Sequence, residues 1–338
     1  MNGASRSAAS TGALLDTPLR YALSKLSPSG AQARLSVAIF HRVLVEPDPL
    51  FPEEIVRGRF DSICAWLAAW FNVMALDEAV ARMEQGSLPE RALAITFDDG
   101  YADNHDIALP VLQAHGLCAT FFVATGYLDG GRMWNDTVME SVRGCTQARL
   151  ALGGLGLPGI DVLTIDTAAS RRSAIDALLS AIKYLPPAQR KAAVEGVAER
   201  AGAALPTTLM MTSTQVRSLA DAGMQIGAHT ESHPILARLD EHTALQELRR
   251  SKATLEDLLG HPVRSFAYPN GRPGRDYLPR DVLLARQAGF ALAVTTAPGA
   301  ARSGDDVFQL PRFTPWDRQR WAFGARLAKN LYQAAAAR

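Results

Sequence analysis

The chain has 338 residues, 48% of them apolar, with 35 Lys and Arg against 34 Asp and Glu and a formal net charge of +1. That is enough for one large domain or two ordinary ones, and the balanced charge offers no broad basic surface to nucleic acid. Three widely spaced cysteines, Cys64, Cys118 and Cys145, argue against a disulfide framework and for a reducing compartment.

Residues 1–33 read as an N-terminal extension without the continuous apolar core of a secretory signal. Leu14, Leu15, Leu19, Leu23 and Leu26 recur at helical spacing, which predicts a short amphipathic helix, packed on the protein or resting weakly on a membrane surface. No stretch is long and apolar enough to span a bilayer, and the expected location is the cytoplasm, with membrane association as a variant.

The body of the protein is expected over 34–315. Its first strand is "RLSVAIF" (34–40), followed by a helix from Asp61 and strands "FNVMAL" (71–76) and "RALAITF" (91–97). A helix then begins with Pro110 in its first turn and stops at Gly116, before the strand "CATFFVAT" (118–125). From about 129 to 212 the rhythm breaks. A Gly- and Leu-rich loop (150–160) precedes two helical patterns, which predicts a mostly helical insertion in a loop. The alternation resumes with a helix opened by Thr212 and Gln215 at capping-box spacing, the strand "MQIGA" (224–228) and a helix running to Gly260. "VRSFAY" (263–268), a helix stopping at Gly289, "FALAVTT" (290–296) and "FQLPRF" (308–313) complete it, and 316–338 is expected as a helical tail. Most of the strands are continuous apolar runs, as in a parallel sheet buried on both faces. The expectation is an α/β fold, a (β/α) barrel of about eight strands.

Barrel enzymes build their sites at the C-terminal strand ends. Here those ends carry His41, then Asp98 and Asp99, then His229, Tyr268 and Arg312. In "HTESHP", His229 and His233 stand four apart, a spacing that suits two imidazoles on one metal. Pro234 disfavours a helix at His233, so this is a loop site. The two clusters supply three ligands, Asp, His and His, with one carboxylate left over to take a proton from water. Gly100 would supply the turn that lets both neighbouring aspartates point inward. Just after the fourth strand, "MWND" puts Trp134 and Asp136 on the same active face as candidate substrate contacts.

With these residues the chain resembles the polysaccharide deacetylase family, the NodB-homology carbohydrate esterases of the family 4 type. "TFDDG" (96–100) looks like the family's first motif, "HTESH" (229–233) like its metal-binding motif, and "FAYPNG" (266–271) is similar to the third, groove-lining motif. The resemblance covers roughly 35 to 315. It implies a distorted (β/α)7–8 barrel and a divalent metal, zinc first, cobalt or nickel as alternatives. It also implies hydrolysis of the N-acetyl group of an amino-sugar glycan or its lipid-linked precursor. Carried over, Asp98 would be the base, Asp99, His229 and His233 the metal ligands, and the Tyr268 backbone N–H an oxyanion donor. The family's late Leu-x-x-His motif is absent, since no histidine follows His261. "IFHRV" (39–43) resembles the exopolysaccharide-type branch, which makes His41 the acid, with His105 in reserve. The Asp-rich fourth motif is not recognisable, and Arg312 in "LPRF" is the candidate partner of the base or of the substrate. The alternatives are hydrolysis of another non-peptide C–N bond on a related barrel, and a metal-free carbohydrate-binding protein.

Overall fold

The computed structural model describes residues 5–333, with side chains from residue 16 onward. The side chains of Leu14 and Leu15 of the predicted N-terminal stripe, and the last five residues of the predicted tail, lie outside what is described. Helix α1 (Ser5–Leu26) leads to strand β1 (Arg34–Phe40), α2 (Arg57–Trp70), β2 (Asn72–Val73), α3 (Leu76–Glu84) and β3 (Ala92–Phe97). A π-helical turn (Asn104–Ala108) runs into α4 (Leu109–Ala114), and β4 (Thr120–Val123) follows. Next come α5 (Trp134–Gly144), the short strands β5 (Arg149–Ala151) and β6 (Val162–Thr164), α6 (Ala168–Ile182) and α7 (Pro187–Ala201). The chain ends with α8 (Ser213–Asp221), β7 (Gln225–Ala228), α9 (Glu241–Leu259), β8 (Ser265–Ala267), α10 (Pro279–Gln287), β9 (Leu292–Val294), β10 (Ala301–Arg302) and α11 (Arg320–Tyr332).

The main sheet runs β10-β1-β3-β4-β7-β8-β9, parallel from β1 to β9, with β2 beside the start of β3 and β10 antiparallel to β1. This is the (β/α) barrel that the alternation predicts, distorted as the resemblance implies. Two predicted strands come out differently. The 71–76 run gives only the two residues of β2, because α3 starts at Leu76. The 308–313 run is not a regular strand: Pro311 has no N–H to give a ladder. It still closes the barrel, since Leu310 exchanges hydrogen bonds with Ala293 and Thr295 on one side and Phe313 with Val37 and Ile39 on the other.

Strand parity sorts the core into two layers. Leu35, Val37, Ala92, Ala94, Phe122, Ala267, Leu292 and Val294 cluster inside the barrel with Leu76 and Val80 of α3. Ala38, Phe40, Leu93, Ile95, Phe97 and Phe121 face outward into the helical layer with Phe60, Leu67 and Leu112. There Phe40, Phe97 and Phe121 stack in a row, with centroids 5.3 and 4.8 Å apart. The N-terminal helix packs on the protein: Leu23 is buried, and the Trp70 indole donates to Asp16 at 2.7 Å.

The insertion has a core of its own, with Val138, Val142, Leu150, Ile165, Ile175, Leu178, Ile182 and Val197 in one cluster. It is mostly helical, as expected, but α5 and the antiparallel β5–β6 pair were not read from the sequence. Three-residue strands are too short to display a period. Among the described residues no helix is long and apolar enough to cross a membrane.

Candidate active site

Ala92, Ala94 and Thr96 point into the barrel, and the same parity carries Asp98 inward. Its carboxylate meets the Arg312 guanidinium fork, each nitrogen of the fork 2.7 Å from one oxygen. Arg312 also donates to the Thr295 carbonyl at 2.7 Å and to Thr96 Oγ1 at 3.3 Å. Asp98 and Arg312 are both 2% exposed, so the pair stands only because each charge is met and both arms of the fork are engaged. Burial pushes the Asp98 carboxyl upward, but the charge and hydrogen bonds of Arg312, helped by His229 and His41, hold it below its ordinary value.

Regular parity would turn Asp99 outward. It does not, because Asp99 itself adopts a left-handed conformation (φ 77°), as does Gly100 (φ 88°). The expected turn at Gly100 thus begins one residue earlier. Gly100 has a second reason to lack a side chain: a Cβ there would lie 3.1 Å from Val123 Cγ1. The chain leaves this turn towards the insertion and returns to it, Met211 N–H donating to the Gly100 carbonyl at 2.9 Å.

His229 follows β7, and its Nδ1 donates to the Ala267 carbonyl of β8 at 2.7 Å. That bond fixes the tautomer and turns Nε2 to Asp99 Oδ1, 3.4 Å away. His233 Nε2 lies 3.3 Å from the same oxygen. The loop between them is not helical, as Pro234 implies, and it is strained: Thr230 (φ 66°) and His233 (φ 50°) are both left-handed. A β-branched residue rarely adopts this conformation, so surrounding contacts must impose it. Thr230 Oγ1 accepts the His233 N–H at 3.1 Å. From α9, the Glu247 carboxylate accepts the N–H groups of Glu231 and Ser232 at 2.9 and 2.8 Å and the Ser232 hydroxyl at 2.5 Å.

Asp99, His229 and His233 suit a metal ion. Their donor atoms all lie within 4.8 Å of one another. Ligands about 2.0–2.1 Å from a tetrahedral centre are about 3.3–3.4 Å apart, which matches the two Asp99 to imidazole distances. Desolvation of His233, with the charges of His229 and His41 acting in the same direction, pushes its imidazole down to about 4, so it is neutral near pH 7. Burial opposes ionisation of Asp99, yet the hydrogen bond with His229 and the nearby imidazoles hold it well below its ordinary value.

His41, Asp98, Asp99, His229 and His233 line one cavity of about 390 Å³, within the usual size of a ligand site. The insertion forms another part of its wall, with Trp134 and Asn135 from α5 and Leu179, Ser180 and Lys183 from the end of α6. Asn270 and Thr296 also line it. The His41 ring is exposed on this wall, while its carbonyl is held by Asn104 Nδ2 at 2.8 Å. His105 is not part of the wall; it bonds to Asp106 and Ser218 at 2.8 and 3.0 Å.

Three sequence expectations need correction. Asp136 does not face substrate: it is 1% exposed, accepts the Tyr101 hydroxyl at 2.9 Å, and is pushed up to about 7, chiefly by burial. The α5 helix turns Trp134 to the cavity and Asp136 to the interior. Tyr268 is also buried, stacked on Tyr277 at 4.0 Å, and its N–H is engaged with the Val294 carbonyl at 3.2 Å, so it is not free for an oxyanion. Of the two roles expected of Arg312, it takes the place of partner to Asp98 and not that of a substrate contact, since it lies behind that carboxylate rather than on the cavity wall. Sequence reading missed Glu247, Lys183, Asn135 and Asn270. Only Asn270 carried a signal, as the Asn of the Pro-Asn-Gly turn in the third motif.

A family model described as "Polysaccharide deacetylase" matches residues 85–148 and 181–293, just over half of the chain, including all three motif segments. The chain belongs to this family. As a polysaccharide deacetylase it is a hydrolase, an N-deacetylase whose family acts on N-acetylated glycans with the help of a metal ion. YxkH of Bacillus subtilis (strain 168), whose name places it in the same family, is 21% identical over 282 residues, 83% of this chain and 71% of YxkH. The fold is similar to that of the Streptococcus pyogenes deacetylase PplD, solved with acetate: TM-score 0.59, 17% identity, 88% of this chain and 98% of PplD covered. It is similar also to IcaB from Ammonifex degensii, with TM-score 0.57, 21% identity and coverage of 91% and 99%.

Proposed function

We propose that this deacetylase removes the N-acetyl group from an amino sugar of a glycan or of its lipid-linked precursor, releasing acetate, with Asp99, His229 and His233 holding one divalent metal ion. The observation that carries the reading is the cavity in which the ionised Asp98, the three-ligand cluster and the exposed His41 ring meet. One carboxylate and two imidazoles suit zinc first, with cobalt and nickel as alternatives. When bound, the ion supplies Lewis acidity to the acetyl carbonyl and to a water molecule, which a carboxylate as weakly basic as Asp98 requires. Asp98 accepts the water's proton; each of its oxygens has a lone pair left beyond the one given to Arg312. Arg312 holds that carboxylate ionised and fixed in direction. With the Tyr268 N–H taken, the free donor on the third-motif turn is the N–H of Asn270, which has no acceptor among the described residues and belongs to a residue that lines the cavity. His41 protonates the leaving amine, and the Trp134 indole offers a face for the sugar. The PplD structure, a complex with acetate, supports acetate as product. A substrate still on its lipid carrier agrees with a cytoplasmic location.

The test is acetate release from free, polymeric and lipid-linked N-acetyl sugars. Asp98→Asn should keep the metal and lose turnover by ~10²–10⁴-fold, the usual weight of a general base. Alanine at His229 or His233 should lower bound metal strongly. Full metal occupancy in both histidine variants, or an Asp98→Asn enzyme within a few-fold of wild type, would reject these roles.

A further inference from the structure

Lys183, capping the end of α6, lines the cavity together with Asn270. Beside it, the Tyr184 ring is surrounded by cations, with the Lys183 ammonium 5.6 Å from its centroid, the Arg275 guanidinium 5.0 Å and the Arg238 guanidinium 5.6 Å. Arg272, two residues beyond Asn270, is close enough for its charge to act on Lys183. These four cations come from three separate segments, the α6 end, the β7–α9 connection and the β8–α10 connection.

Elsewhere arginines find carboxylates, as Arg250 does with Glu231 at 3.4 Å, Arg280 with Asp281 at 3.5 Å and Arg286 with Asp306 at 2.6 Å. Among the described residues, none of Lys183, Arg238, Arg272 and Arg275 has a carboxylate within 4.0 Å, and none of their head groups donates to a protein acceptor. Asp276 is the acid closest to Lys183 in charge effect, but it is buried and accepts the Arg272 backbone N–H at 3.2 Å. Four neighbouring cations without a carboxylate partner stand out in a chain of net charge +1. Burial, with the charges of Arg272 and Arg275 acting in the same direction and Asp276 opposing, lowers the Lys183 ammonium below its ordinary range.

We infer that this rim is a subsite for a phosphate group carried by the substrate, next to the sugar whose acetamido group reaches Asp98. The inference rests on the deacetylase reading and specifies its substrate as a phosphate ester of the N-acetylated sugar. A carboxylate has one charge and two oxygens, which a single guanidinium fork satisfies. Four cations converging from three segments match a group with more than one charge and three or more acceptor oxygens. A patch of one sign beside the cavity also concentrates such a substrate.

Two measurements test it on the full-length protein. In the first, inorganic phosphate is titrated at low ionic strength by calorimetry. Saturable binding is expected, weakened at least ~10-fold in Lys183→Ala and in Arg275→Gln, as loss of a charge-assisted contact implies. Both variants are checked for native circular dichroism and unfolding midpoint. No binding, or binding that neither variant weakens, overturns the inference. In the second, kcat/KM for acetate release is compared among the methyl glycoside of N-acetylglucosamine, its 1-phosphate, its nucleoside diphosphate and its polyprenyl diphosphate. The phosphorylated compounds should exceed the neutral one by at least ~10-fold, and the ratio should fall towards one in both variants. Preference for the polyprenyl arm assigns the phosphate to a lipid carrier, and preference for the nucleoside arm assigns it to a soluble donor. Equal rates on neutral and phosphorylated sugars overturn the inference while leaving the deacetylase reading intact. Phosphate binding that depends on Lys183, without acetate release from any arm, supports the subsite and overturns the deacetylase reading.

Discussion

Asp98 and Asp99 are chemical neighbours with opposite environments. Asp98 follows strand parity into a guanidinium fork, and Asp99 departs from it through its own left-handed backbone to meet two imidazoles. His41 is the third element of the proposed chemistry, and its exposed ring has room to exchange protons with a substrate amine. His41→Ala should keep the metal and bind substrate yet lose the alkaline limb of the pH–rate profile. A limb persisting at the same pH would reject the role. Asp136 gives a separate pH signature. Its folded-state value near 7 lies above its ordinary 3.8, so the folded protein binds this proton more tightly than the unfolded chain. The penalty of ionising it is absent below about pH 4, grows through the interval up to about pH 7 and is complete above. Asp136→Asn keeps an acceptor for Tyr101 and removes the charge. The stability of wild type relative to that variant, from urea midpoints, should therefore fall as the pH is raised from 5 to 8.

The histidine loop shows how an element is held to a geometry that its sequence does not favour. Two left-handed non-glycine residues within four positions store strain, and the Glu247 carboxylate on α9 binds three donors of that loop. Capping at Asp240 and a left-handed Gly260 fix the span of α9 and hence the position of Glu247. Glu247→Ala should leave the fold intact but lower metal affinity by ~10–100-fold, the weight of partners that orient metal ligands, with Glu247→Gln in between. Competition with a chelator measures it, and unchanged affinity in Glu247→Ala would mean that the loop holds its shape alone.

At the scale of the molecule, the barrel carries the chemistry and the insertion supplies a second wall. Helix α6 joins the two roles: Ile175, Leu178 and Ile182 pack into the insertion core, while Leu179, Ser180 and Lys183 line the cavity. Leu178→Ala should cost ~2–5 kcal/mol of stability, the usual cost of truncating a buried leucine. Because its helix faces substrate and not the metal ligands, KM should rise more than kcat falls, with metal binding unchanged. Loss of metal along with KM would mean that barrel and insertion share one cooperative core.

The sequence by itself determined the periodic features: the alternation that makes a barrel, the caps at Thr212 and Gly260, and the strand ends where His41, Asp98, Asp99 and His229 stand. These are local, since parity and helix signals depend on residues a few positions apart. The sequence offers Arg312 as a partner of the base or of the substrate, and tertiary structure decided for Asp98, across 214 residues; it alone decided that Glu247 braces the histidine loop. It alone also turned Asp136 inward while its neighbour Trp134 lines the cavity, and closed the barrel through a segment that Pro311 keeps from being a strand. Such pairings depend on which surfaces packing brings together, and spacing along the chain does not specify them.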